Sequence, residues 1–205
     1  MRRRVRRSAV PPARHRAASP AERDASRARP LGVPSDLALR RTLTVRSSED
    51  GAKLVLTKKR GESIEHVLMK AALWALYRPL FPDLRVEVRI GDAFKPDLVA
   101  LRPPPGGIAY GDPAPVFWAE AGAVSGRKWT SLLRRFPDAH VAWARWDERL
   151  APHVATVRRA LGTRARRAPF DVLRVPSDLA ERITPDGTLA LSLADVEHVR
   201  LPGDP

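Results

Sequence analysis

The chain has 205 residues and a mass of 22.7 kDa, with 43% hydrophobic and 29% charged residues, enough for one domain with a proper core and short for two. It has no cysteine, which excludes a disulfide scaffold, a thiolate zinc cluster and thiol catalysis, and no apolar run approaches the roughly 18 residues a membrane helix needs. The formal charge of +14 favours a polyanionic partner and says nothing about fold.

The charge is uneven. Residues 1–30 hold ten Arg against Glu22 and Asp24, a net of +8, which leaves +6 for the rest. Pro, Ser, Ala and Arg dominate this segment, so burial cannot offset the entropy of ordering it. Residues 1–34 are therefore expected to form a disordered basic tail, and 35–205 a single domain. The tail lacks the apolar region of a signal peptide, and the expected location is the cytoplasm, with no membrane partner. Arg outnumbers Lys 31 to 6 over the whole chain, so the tail reflects either that general bias or a nucleic-acid-binding arm.

Leu37 to Val45 carries alternating apolar residues. A turn signal at Ser47–Gly51 and a second alternating run, Lys53 to Thr57, complete a predicted β-hairpin. Ser63 is a plausible N-cap for a helix from Ile64 to Tyr77, where apolar residues recur at helical spacing until Pro79 and Pro82. Leu84, Val86, Val88 and Ile90 alternate with charged residues and predict a half-buried strand. A mostly apolar strand follows from Asp97 to Leu101, then a Pro- and Gly-rich loop, then a third strand from Val116 to Ala121.

Trp129, Leu132, Leu133 and Phe136 predict a helix, Ala139 to Trp146 a fourth strand, and Val154 to Leu161 another helix. Phe170 to Val175 reads as a strand, Ser177 to Ile183 as a short helix, and Thr188 to Leu193 as a last strand. The expected fold is α/β (α+β): an αβββαβ core around a mixed sheet, with an N-terminal β-hairpin.

Three acids stand out by position. Glu65 lies in the first turn of the long helix, Asp97 opens a buried strand after Pro96, and Glu120 ends the third strand before a Gly-rich break. Acids at the ends of central strands are costly to bury unless something pairs with them. A divalent cation such as Mg²⁺ is one solution: Asp97, Glu120 and the carbonyl of Ala121 are hard oxygen donors, and Glu65 is placed to hold a metal-bound water. Each acid also has a plainer reading. Glu65 is favoured by the helix dipole alone, Asp97 could be a turn residue, and Glu120 could pair with an arginine.

The segments PDLVAL (Pro96–Leu101), FWAEAG (Phe117–Gly122) and RKWTSLLRRFPDAHVAWAR (Arg127–Arg145), in this order after a long helix, resemble the PD-(D/E)xK nuclease superfamily. Within it, the stretch from Gly61 to Leu161 is similar to YaeQ-like proteins. The resemblance implies a restriction-endonuclease-like core, metal-binding carboxylates at Asp97 and Glu120, and an accessory helix acid at Glu65. Its pattern places a lysine at position 122, where this chain has Gly122. Lys128 on the next helix is the candidate replacement, with Lys95 a weaker one. The lysine's work is electrostatic, to activate water or to stabilise charge on the phosphate.

Arg127, Lys128, Arg134 and Arg135 give that helix a basic side, either a solvated face or a set of contacts to DNA or RNA phosphates. Trp74, Trp129 and Trp143 read as core rather than as stacking platforms. His66 is expected near the pocket mouth, while His140 and His153 show no metal-ligand spacing. Three functional readings compete: a Mg²⁺-dependent nuclease, an inactive nuclease-like module that binds nucleic acid or regulates, and an interaction domain whose acids only pair with arginines.

Overall fold

The computed structural model describes residues 41–103 and 114–202. The predicted basic tail, residues 1–34, lies outside the described residues, as does most of the Pro- and Gly-rich loop. Strands β1 (Thr42–Ser47) and β2 (Lys53–Thr57) form the expected antiparallel hairpin, with Leu43 opposite Leu56. Helix α1 (Ile64–Tyr77) begins where Ser63 accepts a hydrogen bond from the His66 N–H at 3.2 Å.

Three strands follow, β3 (Arg85–Val86), β4 (Leu98–Leu101) and β5 (Pro115–Ala121), each antiparallel to the next. Helix α2 (Gly126–Arg135) crosses over to β6 (His140–Trp146), which runs parallel to β5. The αβββαβ order read from the sequence is thus present. Helix α3 (Ala151–Leu161) leads to β7 (Phe170–Val175), parallel to β6. A 3₁₀ turn, Leu179–Arg182, precedes β8 (Thr188–Leu189) and the final strand β9 (Glu197–Leu201). The six-stranded sheet has the order β3-β4-β5-β6-β7-β9, and the smaller sheet is β2-β1-β8.

Three segments differ from expectation. The strand predicted over Leu84–Ile90 stops after Val86, because Glu87 takes a left-handed backbone (φ 55°) and its N–H bonds to the Asp97 carbonyl at 2.8 Å. The run after Thr188 is a strand for only two residues, paired in parallel with Arg46 and Ser47 of β1. The chain then supplies one more strand, β9, antiparallel to β7, which closes the large sheet.

The large sheet is covered on both faces. One face carries Leu98, Phe117, Ala119, Ala121, Ala142, Ala144 and Leu173, packed under α1 and the small sheet. The alanines of β5 and β6 share one core with Ala71 and Ala72 of α1, small residues that let a helix settle close to a sheet; all six are essentially buried. The other face carries Trp118, Val141, Trp143, Phe170 and Val172 beneath α2 and α3. Burial on both faces explains the near-continuous apolar runs of β5 and β6. No described helix is long and apolar enough to cross a membrane.

Candidate active site

The pairing of Leu98 with Ala119 brings Asp97 opposite Glu120 at the end of β4 and β5. The Asp97 N–H still bonds to the Ala119 carbonyl at 3.2 Å. Beyond that point the strand ladder ends, and the Asp97 side chain continues it: Oδ2 accepts the Ala121 N–H at 2.8 Å. The carboxylate is therefore fixed by the backbone of the strand that carries Glu120.

Glu120 is buried on the face that carries Trp118. Its Oε1 accepts the Trp118 indole N–H at 2.6 Å and lies 2.6 Å from the Lys128 ammonium. Burial pushes the Glu120 carboxyl up to about 7; Lys128 opposes the rise and the neighbouring Asp97 adds to it. Lys128 is the third residue of α2, whose N-cap Ser125 accepts the Lys128 N–H at 3.2 Å. That cap sets where the lysine stem leaves the helix. The stem runs back along the apolar edge, with the ammonium 5.6 Å from the Phe94 ring centroid, and reaches the end of β5.

Gly122, where the resemblance places a lysine, has φ 73°. Its carbonyl accepts the Trp143 indole N–H at 2.7 Å, so Trp143 is core, as expected, and also a brace for this turn. Trp74 and Trp129 are buried as well. His66 sits above Gly122, with Nε2 3.5 Å from both Asp97 Oδ1 and Glu62 Oε1.

Glu65 is half-buried and does not line the cleft at Asp97; Glu62, just before the helix, and His66, in its first turn, do. Glu62 comes to this cleft from the segment just before the Ser63 cap, whereas Glu65, in the first turn, is rotated off it. Of the arginines on α2, Arg127 and Arg134 are exposed, while Arg135 is tied to Asp92 and packs over Phe94 and Phe136. His140 is drawn to Asp171 at 2.8 Å and His153 to Glu148 at 2.8 Å, both far in sequence from the cleft residues.

A further cluster adjoins Asp97. Lys70 on α1, 1% exposed, extends its ammonium to Glu62 Oε1 and Glu87 Oε1, each at 2.6 Å. Glu87 Oε2 meets Lys59 and, at 3.5 Å, Lys95. Burial works to raise the Glu87 carboxyl, but the ammonium groups of Lys59 and Lys70 outweigh it and hold it at about 2. Neither Glu87 nor Lys70 stands out in the sequence. Glu87 reads as the outward residue of an alternating strand, and Lys70 as one polar residue in an apolar helix.

Among the described residues no three His, Asp or Glu side chains stand together as a ready-made metal cage. Asp97 and Glu120 nevertheless fit a hard cation that takes two carboxylates and completes its shell with water and substrate oxygens, the usual habit of Mg²⁺. Both donors to Glu120 fall on Oε1, and the repulsion between the two carboxylates is what a cation relieves.

No protein-family model matches the chain, and no curated protein matches it. Solved structures similar to it include two YaeQ proteins. The YaeQ protein from Pseudomonas syringae is 15% identical, with 80% of this chain and 94% of that one aligned at a TM-score of 0.48. The YaeQ protein from Xanthomonas axonopodis pv. citri is 15% identical, with 74% and 81% aligned at a TM-score of 0.43.

Proposed function

We propose that the chain is a Mg²⁺-dependent phosphodiesterase acting on DNA or RNA, of PD-(D/E)xK type, with its lysine relocated from position 122 to Lys128. The observation that carries this reading is the register that sets Asp97 opposite Glu120 at the end of β5, with Lys128 2.6 Å from Glu120.

Asp97 and Glu120 would hold the metal, which would supply a Lewis acid and a more acidic bound water. The Ala121 N–H keeps Asp97 from swinging out of the site. Lys128 uses one of its three protons on Glu120 and has two left for a phosphate oxygen. Its charge then lies where negative charge grows as the phosphorus is attacked. Trp118 completes the fixed orientation of Glu120. Exposed Arg127 and Arg134, on the same helix as Lys128, supply contacts to the nucleic-acid backbone that carry no sequence information.

The test is cleavage of single- and double-stranded DNA and RNA with Mg²⁺ or Mn²⁺. Wild type cuts at least one of them, Asp97→Ala abolishes cleavage and metal binding together, and Lys128→Ala lowers cleavage by roughly a hundredfold or more while metal affinity holds. A wild-type protein that cuts none of the four substrates with either metal sinks the reading.

A further inference from the structure

The cleft that Asp97 closes has a volume of about 600 Å³ and extends away from Glu120, between the N-terminus of α1 and the segment that carries Lys95. Lys59, Arg60 and Lys95 line it together with Glu62, Glu87 and Asp97. Lys70 lies beneath, out of reach of any ligand, and draws Glu62 and Glu87 down to itself. Four cations face three carboxylates here, so one positive charge stands without a counterion of the protein's own.

Glu87 gives this excess a fixed shape. Its Oε1 goes to Lys70 and its Oε2 to Lys59 and Lys95, so a single carboxylate gathers two rim ammonium groups from segments far apart in sequence. The left-handed backbone of Glu87 and its N–H bond to the Asp97 carbonyl tie that carboxylate to the strand end carrying the candidate metal ligand. A non-glycine residue held in this conformation is strained, and such strain persists only where the surroundings over-determine it. Lys59 and Lys95 remain 57% and 33% exposed at the side chain, with protons to spare toward the cleft.

We infer that this cleft is a phosphate subsite: it holds a backbone phosphate of the nucleic-acid strand next to the one that is cut, between Lys59, Arg60 and Lys95. The inference rests on the nucleolytic reading of the neighbouring site. Glu87 holds the two ammonium groups side by side on one oxygen, so that a single phosphate can meet both, and the Arg60 guanidinium adds a planar pair of donors. The 14-residue helix α1 points its positive end at the same space. The anion then supplies the countercharge that the cleft lacks. Because Asp97 lines this cleft and is a candidate metal ligand, a strand held here runs beside the candidate metal site.

The experiment measures binding of a fluorescent single-stranded oligonucleotide by the full-length protein in EDTA, over a range of salt. Lys59→Ala/Lys95→Ala is expected to weaken binding about tenfold near physiological salt. It should also flatten the plot of log affinity against log salt by up to roughly 0.7, the share of one phosphate contact on a single strand. Lys59→Arg/Lys95→Arg should bind like wild type. Arg158→Ala/Arg159→Ala, at the far end of α3, removes the same charge elsewhere and should have a much smaller effect. Equal losses in the Lys59/Lys95 and Arg158/Arg159 alanine variants would mean that only net charge matters and would overturn the subsite, as would unchanged binding by Lys59→Ala/Lys95→Ala. Since binding is read without metal, a wild type that binds in this way but does not cut in Mg²⁺ counts against the nuclease reading alone.

Discussion

His66 stands in the space that a side chain at position 122 would enter: a Cβ on Gly122 would lie 3.3 Å from the imidazole Nδ1 and 3.6 Å from Met69 Cε. With φ at 73°, the position is also one that L side chains rarely adopt. A lysine here would meet both obstacles, and in this chain the ammonium arrives from Lys128 instead.

Gly122→Ala should accordingly cost about 1–2 kcal/mol in chemical denaturation, the usual penalty of a left-handed backbone, and Gly122→Lys at least as much, without raising any nuclease activity. Adding His66→Ala to Gly122→Ala should recover the part of the loss that comes from the contact, while the backbone part stays. A double-mutant cycle with a coupling indistinguishable from zero would show that the imidazole simply moves aside.

Lys70 is the most deeply buried charge on α1, and two carboxylates depend on it. Lys70→Ala should destabilise the domain by about 3–5 kcal/mol, the scale of stranding a buried partner, plus a term for the cavity left by the stem. Lys70→Met keeps most of the volume and should cost clearly less. Equal denaturation midpoints for the two variants would show that the charge, and not the packing, carries the whole effect.

The depressed Glu87 carboxyl makes a signed prediction about pH. Its pKa falls from the ordinary 4.5 to about 2 on folding, so the ionised form stabilises the fold above about pH 4.5. That contribution should fade as the pH drops from about 4.5 towards 2. Thermal midpoints of wild type and Glu87→Gln should therefore differ near neutral pH and converge in acid. A gap that stays constant down to pH 2 would assign the effect of the substitution to packing or hydrogen bonding.

A second buried carboxylate, Asp171 on β7, ties three elements together. It accepts the Tyr77 hydroxyl at 2.7 Å, lies 2.8 Å from His140 Nε2, and is gripped by the Arg200 guanidinium at 2.7 and 2.8 Å. Burial pushes the Tyr77 hydroxyl far up, so it stays a donor. Tyr77→Phe should cost about 1.5–3 kcal/mol, one hydrogen bond to a charged acceptor. Asp171→Ala should cost more, since it strands a tyrosine, a histidine and an arginine at once. Denaturant midpoints for the pair decide the order, and a Tyr77→Phe variant as destabilised as Asp171→Ala would contradict it.

Local signals located most of the frame. The Ser63 cap, the apolar spacing and Pro79 place α1 at the bounds read from the sequence, and β7 likewise falls on Phe170–Val175. The opposed positions of Asp97 and Glu120 were also legible, because strand ends and their order are visible in the chain. Three things were not. Alternation from Leu84 to Ile90 is blind to a positive φ, so nothing in it announced that Glu87 turns the chain. Strand β9 has mostly exposed residues and a weak pattern, and only its pairing with β7 reveals it. The lysines around Glu87 come from positions 59, 70 and 95, and only the packing of α1 against the sheet brings them to one carboxylate.

The abrupt end of β3 also bears on how the molecule meets copies of itself. An open sheet invites growth at both margins, where unpaired amides can recruit a strand from another chain. One margin here is only two residues long, because Glu87 bends the backbone out of line, and no long template is offered. The other, β9, leaves Glu197, His198 and Arg200 exposed along most of its length, Arg200 while it is bonded to Asp171 on the neighbouring strand. A second copy laid edge to edge in register would have to desolvate these charges, so the same strained turn that gathers the lysines also blunts one side of the sheet against cross-molecular pairing.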